Sequence, residues 1–164
     1  MTVTRRELGS RLPSLGPRGE GWFVGQILFL IAVAAAPQGT WPEPAGTLGL
    51  WIGTALALGG ALMTSLAVVD LGSNFTPLPS PLRTGALVER GIYHVLRHPV
   101  YGGLVLIAVG WSLLHASGVG LILTVALAAF LDLKARREEV LLSARFPEYE
   151  AYRRRTHRFI PRVY

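Results

Sequence analysis

The chain has 164 residues, no Cys, a hydrophobic share of 51% and a charged share of only 16%. Soluble chains average roughly 25% charged residues, so the composition argues against a soluble globular protein, and the missing Cys excludes a disulfide scaffold, a thiolate metal site and a Cys nucleophile. The net charge of +6 comes with no nucleic-acid-binding pattern and fits Arg at the ends of membrane helices.

Four apolar segments follow in chain order: Trp22–Ala36, Leu48–Val69, Val100–His115 and Val119–Leu133. They predict one all-α integral membrane domain of four transmembrane helices. At 1.5 Å per residue the second easily crosses a hydrocarbon core of roughly 30 Å. The other three are near or below the usual ~17-residue minimum, so each extends a turn into its flanks or thins the bilayer locally. The Arg-rich start, the first apolar segment and Ala34-Ala35-Ala36 resemble a signal peptide, but Pro37 is a poor residue to follow a cleavage site.

Charge placement sets the expected topology. Arg5, Arg6, Arg11 and Arg18 precede the first segment, and Arg83, Arg90 and Arg97 lie between the second and third. Lys134, Arg136, Arg137, Arg145, Arg153, Arg154, Arg155, Arg158 and Arg162 follow the fourth. The connection at 37–47 carries only Glu43, and the turn at 116–118 carries no charge. All 16 Lys and Arg therefore fall on the side that the positive-inside rule makes cytoplasmic, with both termini there. The expected location is a cell membrane, crossed several times.

Within the second segment Gly49, Gly53, Ala57, Ala61 and Ser65 recur at spacing four and predict a small-residue packing face. Gly120, Thr124, Ala128 and Asp132 repeat that spacing in the fourth. The turn at Ser117-Gly118 makes the last two segments an antiparallel hairpin. No Pro or Gly interrupts Leu121–Phe146, so one helix runs about 40 Å out of the membrane, and Pro147 ends it. A short helix over Glu148–Arg155 would place Phe146, Tyr149 and Tyr152 broadly on one face, with Arg153, Arg154 and Arg155 elsewhere. Residues 73–85 hold Pro77, Pro79, Pro81 and Gly85 and read as an ordered loop.

Two polar clusters could carry chemistry. Arg97-His98-Pro99-Val100-Tyr101 opens the third segment; Pro99 suits the first helical turn, whose free N–H groups favour an anionic ligand. An interfacial belt of Arg, His and Tyr explains the same residues. Glu138-Glu139 lies beyond the fourth segment, either as a solvated face or as a carboxylate for a cationic or hydroxyl-bearing ligand, with Arg97 or Arg136 as partner. Dinucleotide, P-loop, zincin and nucleophile-elbow motifs are absent. His94 and His98 have no third ligand in reach, so no metal is expected.

Gly91-Ile92-Tyr93 and Arg97-His98-Pro99-Val100-Tyr101-Gly102-Gly103 resemble the "GxY…RHPxYxG" signature of the isoprenylcysteine carboxyl methyltransferase and phospholipid methyltransferase superfamily. Glu138-Glu139, Leu142, Phe146, Tyr149 and Tyr152 are similar to its "EExxLxxxFGxxYxxY" block, with Pro147 in place of the usual Gly. Arg158-Phe159-Ile160-Pro161 resembles its closing "RxIP". The resemblance covers about residues 83–164, so 1–82 reads as an N-terminal helical hairpin with its Pro-rich loop and 83–164 as the cofactor-binding, catalytic half.

The resemblance implies methyl transfer from S-adenosylmethionine, with S-adenosylhomocysteine as product, to a lipophilic acceptor arriving from the bilayer at the cytosolic boundary. It implies a cofactor pocket of Val88, Tyr93, His98, Pro99, Val100, Tyr101, Gly103, Glu138, Glu139, Leu142, Tyr149 and Tyr152. His98, Tyr101 and the backbone at Pro99 would hold the donor's carboxylate or adenine end. Glu139, with Glu138, would bind its ribose or amino group, and Arg97 would orient an anionic acceptor. Rival expectations are a nicotinamide-dependent sterol reductase, which shares the C-terminal signature, and a small membrane scaffold without turnover.

Overall fold

The computed structural model describes residues 12–40 and 45–159; Arg5, Arg6, Arg11, Glu43, Ile160, Pro161 and Arg162 lie outside them. Five α-helices are seen there: α1 (Glu20–Ala34), α2 (Ala45–Leu71), α3 (Pro99–Leu114), α4 (Gly118–Arg145) and α5 (Tyr149–Arg155). Short 3-10 turns cover Gly72–Asn74 and Gly91–His94. Among the described residues there is no strand, only one isolated bridge between Leu96 and His157. Two segments, Thr47–Asn74 and Gly118–Arg145, are long and apolar enough to cross a membrane, while α1 and α3 are shorter apolar helices.

The chain places each helix end for a local reason. Pro99 occupies the first turn of α3, where its missing N–H costs nothing. The Ser117 hydroxyl caps α4 by accepting from Gly120 N. Pro147 stops α4 at Arg145, and Phe146 is already extended. Ala116 takes a positive φ of 48° in the turn that reverses α3 into α4.

Helix α3 is the hub. It crosses α2 at glycines: a Cβ on Gly60 would lie 2.6 Å from Gly103 O, and one on Gly110 2.6 Å from Gly53 O. The expected face at Gly49, Gly53, Ala57, Ala61 and Ser65 is corrected here. Gly49, Gly53, Gly60 and Ala67 are buried, whereas Ala61 and Ser65 are exposed. A strict spacing of four drifts about 40° per step on a 3.6-residue helix, so the contact line alternates three and four instead. The same drift moves the buried line of α4 from Gly120 and Thr124 to Leu127 and Leu131.

Helix α1 lies on α4 through aromatic rings, Trp22 and Phe29 each 5.3 Å from Phe130. Val33, Ala108, Leu127, Leu131 and Ala135 form the buried apolar core. Trp51, Leu58, Leu62 and Val69 on α2, and Ile122 and Val125 on α4, stay exposed; bands of this kind face lipid rather than water.

Candidate functional site

At one end of the bundle the segment after α5 runs beside residues 95–98. His157 N donates to Val95 O at 2.9 Å, Arg97 N to His157 O at 2.8 Å and His98 N to Arg158 O at 3.2 Å. This short parallel pairing brings Arg97, His98, Arg158 and Phe159 together over the C-terminal half of α4.

Glu139 is the centre of that cluster. Arg158 grips it with two nitrogens, Nε to Oε1 at 3.1 Å and Nη2 to Oε2 at 2.8 Å, and Arg97 Nε donates to Oε1 at 3.1 Å. Arg158 also reaches Asp132 at 2.7 Å, which Arg136 contacts at 2.6 Å. Burial disfavours the Arg158 charge, but the Glu139 and Asp132 carboxylates outweigh it and hold the pKa above the usual arginine value. Arg97 further donates to the carbonyls of Arg153 and Thr156. Both arginines therefore pin the C-terminal segment to α4.

Glu138 faces differently. Its Oε2 accepts from the Tyr101 hydroxyl at 2.8 Å and lies 3.7 Å from His98 Nδ1. The His98 and Tyr101 rings stack with centroids 5.4 Å apart. His98 Nε2 lies 3.4 Å from Glu139 Oε1, longer than an ordinary hydrogen bond, and has no closer protein partner.

These side chains border a cavity of about 300 Å³, at the lower edge of the ~300–1,000 Å³ typical of ligand sites. Val88, Tyr93, Arg97, His98, Val100, Tyr101, Glu138, Leu142, Tyr149 and Tyr152 line it. Glu139, Pro99 and Gly103 do not. Glu139 is turned into the arginine cluster, Pro99 is buried at the start of α3, and Gly103 fills the α2–α3 crossing, where a Cβ would meet Thr64 Oγ1 at 2.2 Å. Burial, and then the Glu138 charge, raise the Tyr93 pKa; burial, and then Glu139, raise that of Tyr149. Tyr152 donates to Tyr93 O at 2.8 Å.

The rest of the wall has no counterpart among the expected residues. Gln26 comes from α1, Thr64 and Val68 from α2, Lys134 from α4, and Pro77, Pro81 and Leu82 from the Pro-rich loop. A Gln inside an apolar segment and a Lys at the end of another were the available signals, since polar side chains at membrane depth are functional candidates. Three buried polar atoms of cavity-lining residues lack a protein hydrogen-bond partner: Thr64 Oγ1, His98 Nε2 and Tyr149 OH.

The family model described as phospholipid methyltransferase matches residues 48–148. The chain belongs to that family. Among relatives, the cobalt-zinc-cadmium resistance protein CzcN of Cupriavidus metallidurans is 33% identical over 128 residues, covering 77% of this chain and 54% of that protein. A probable protein-S-isoprenylcysteine O-methyltransferase of Oryza sativa is 29% identical, covering 68% of this chain and 60% of its own length. The protein-S-isoprenylcysteine O-methyltransferase of Schizosaccharomyces pombe is 32% identical, covering 63% and 46%. The chain thus spans about half the length of the relatives it matches and sits within the isoprenylcysteine and phospholipid methyltransferase superfamily.

Proposed function

We propose that this family member is an S-adenosylmethionine-dependent methyltransferase acting on a lipophilic acceptor at the membrane–cytosol boundary. The observation that carries the reading is the cavity itself. Its lining joins polar side chains (His98, Glu138, Tyr149) with apolar ones from α1, α2 and α3 (Phe23, Val68, Leu104). A donor with both charged and aromatic parts suits the first, and a lipid-borne acceptor suits the second. The unpartnered His98, Tyr149 and Thr64 atoms fit a polar ligand, because buried polar groups without partners are costly.

The donor supplies, when bound, a sulfonium-activated methyl group for in-line displacement. The chain's residues do the rest. His98, Tyr101 and the free N–H groups at the start of α3, around Pro99 and Val100, hold the donor's anionic or adenine end. Glu138, steadied by Tyr101, faces its positive charge. Tyr149 and Tyr152 cover it, and Val88, Tyr93 and Leu142 exclude water, so that positioning supplies much of the rate. The network of Arg97, Glu139 and Arg158 keeps residues 97–101 and the C-terminal segment in register, with residues 83–164 as the catalytic half and 1–82 supplying membrane anchoring and the acceptor side.

The same reading has four helices crossing a cell membrane and both termini in the cytosol, since every Lys and Arg then lies on one side. Incubating purified protein with methyl-labelled donor and a membrane lipid extract tests the activity. Label is expected in an organic-extractable product, and its formation should fall on the order of a hundredfold or more in Glu138→Ala. No labelled lipid with well-folded wild type would contradict the reading.

A further inference from the structure

We infer that Thr64 holds the lipophilic acceptor in place, through a hydrogen bond between its hydroxyl and a hydroxyl or carbonyl oxygen of that lipid; the inference rests on the methyl-transfer reading above. Thr64 stands seven residues before the end of α2 at Leu71, about 10 Å along the helix axis. Its hydroxyl oxygen is buried, belongs to a residue that borders the cavity, and has no protein hydrogen-bond partner. Helical hydroxyls commonly satisfy themselves by donating to the carbonyl four residues earlier. Thr54 donates in this way to Leu50 O at 2.7 Å, Ser112 to Ala108 O at 2.8 Å and Thr124 to Gly120 O at 2.8 Å. Thr64 makes no such bond to Gly60 O, so its hydrogen-bonding capacity is left for a ligand.

The surroundings of Thr64 point to the acceptor rather than the donor. The next cavity residues along α2 are Val68 and Leu71, both apolar. Across the helix crossing it meets Gly103, where a Cβ would lie 2.2 Å from Thr64 Oγ1. A side chain at 103 would therefore displace the hydroxyl, which gives Gly103 a part in the site although it does not border the cavity. The other two unpartnered atoms belong to a charged neighbourhood. His98 lies 3.7 Å from Glu138, and Tyr149 stands within reach of the Glu139 and Glu138 charges. That neighbourhood suits a charged donor. One neutral hydroxyl cannot offset a buried charge, but it can anchor a single oxygen of an otherwise apolar ligand and fix how that ligand sits in the cavity.

Removing a buried hydroxyl that has no partner does not harm a fold. Thr64→Val keeps the side-chain shape, so its melting temperature without ligand should equal or exceed that of wild type. Calorimetry on the detergent-purified protein, with S-adenosylhomocysteine present, then compares 1-dodecanol with dodecane. Wild type is expected to bind the alcohol about fivefold or more tightly. Thr64→Ser should keep that preference and Thr64→Val should lose it, both with unchanged affinity for S-adenosylhomocysteine. No preference in wild type or in Thr64→Ser, or one that persists in Thr64→Val, overturns the inference. So does a lowered melting temperature of Thr64→Val, which would give the hydroxyl a bond within the fold, or weakened S-adenosylhomocysteine binding there, which would give it to the donor. Absence of S-adenosylhomocysteine binding to folded wild type would instead remove the methyl-transfer reading, while the alcohol-to-alkane ratio measured without it still tests Thr64.

Discussion

Glu139 holds its charge in a buried position because His98, Arg158 and Arg97 surround it. Removing one partner of such a cluster leaves an uncompensated charge and costs about 3–5 kcal/mol. Arg158→Ala should lower stability by that order in chemical unfolding of the detergent-solubilised protein, and Arg158→Lys should recover only part, since one ammonium cannot reproduce the two-nitrogen grip. Unchanged unfolding in Arg158→Ala would remove the structural role given to the cluster. Gly91 is a second residue-scale constraint. It has φ of 56°, and a Cβ there would lie 2.0 Å from Asp70 Oδ2, whose carboxylate accepts from Ile92 N at 2.9 Å. Gly91→Ala should therefore cost about 1–3 kcal/mol, visible as a lowered melting temperature.

Buried phenols set an alkaline limit. Burial raises the folded-state pKa values of Tyr93, Tyr149 and Tyr152 above the ordinary tyrosine value. A group raised on folding gives its full stabilisation below its unfolded pKa of about 10 and loses it as pH rises beyond. Stability should show no loss from these residues between about pH 7 and 9 and should fall above about pH 10; Tyr93→Phe should flatten that fall. The polar clusters at 97–101 and 138–139 were legible as residues, but not which glutamate faces the cavity. Neighbours on a helix point about 100° apart, and the rotation of α4 is set by Leu127, Leu131 and Ala135 burying against the bundle.

At the scale of elements, the α2–α3 crossing depends on backbone approach. Gly53 and Gly110 face each other so closely that a Cβ on Gly110 would also lie 2.6 Å from Ala57 N. Close approach of this kind is what small residues permit in membrane helices. Gly110→Leu should force the helices apart, lower the yield of folded protein and lose donor binding along with it. Gly59, whose Cβ would meet nothing within 4 Å, should tolerate Ala; loss of fold in Gly59→Ala would contradict the crossing described. Helix positions were readable to within a few residues because apolar runs and Pro147 mark them. The register of the faces was not, because spacing four only approximates the helical repeat. The pairing of residues 95–98 with His157 and Arg158 involves backbone groups far apart in sequence, and no side-chain pattern announces it.

For the whole molecule, the segregation of Lys and Arg predicts sidedness. A labelling tag beside Glu43 should react only from outside the cell, and one beside Ser80 only from the cytosol; reaction of both from the same side would break the four-helix topology. On the proposed function, that sidedness would bring a water-soluble donor and a bilayer-borne acceptor to one cavity. The central claim, that the cavity bordered by His98, Glu138 and Tyr149 is a methyl-donor site, is tested most directly by calorimetric titration of the purified protein with S-adenosylhomocysteine. A saturable heat in wild type that weakens at least about tenfold in His98→Ala, with unchanged melting temperature in the absence of ligand, is predicted. No binding to folded wild type, or equal binding in His98→Ala, would contradict it.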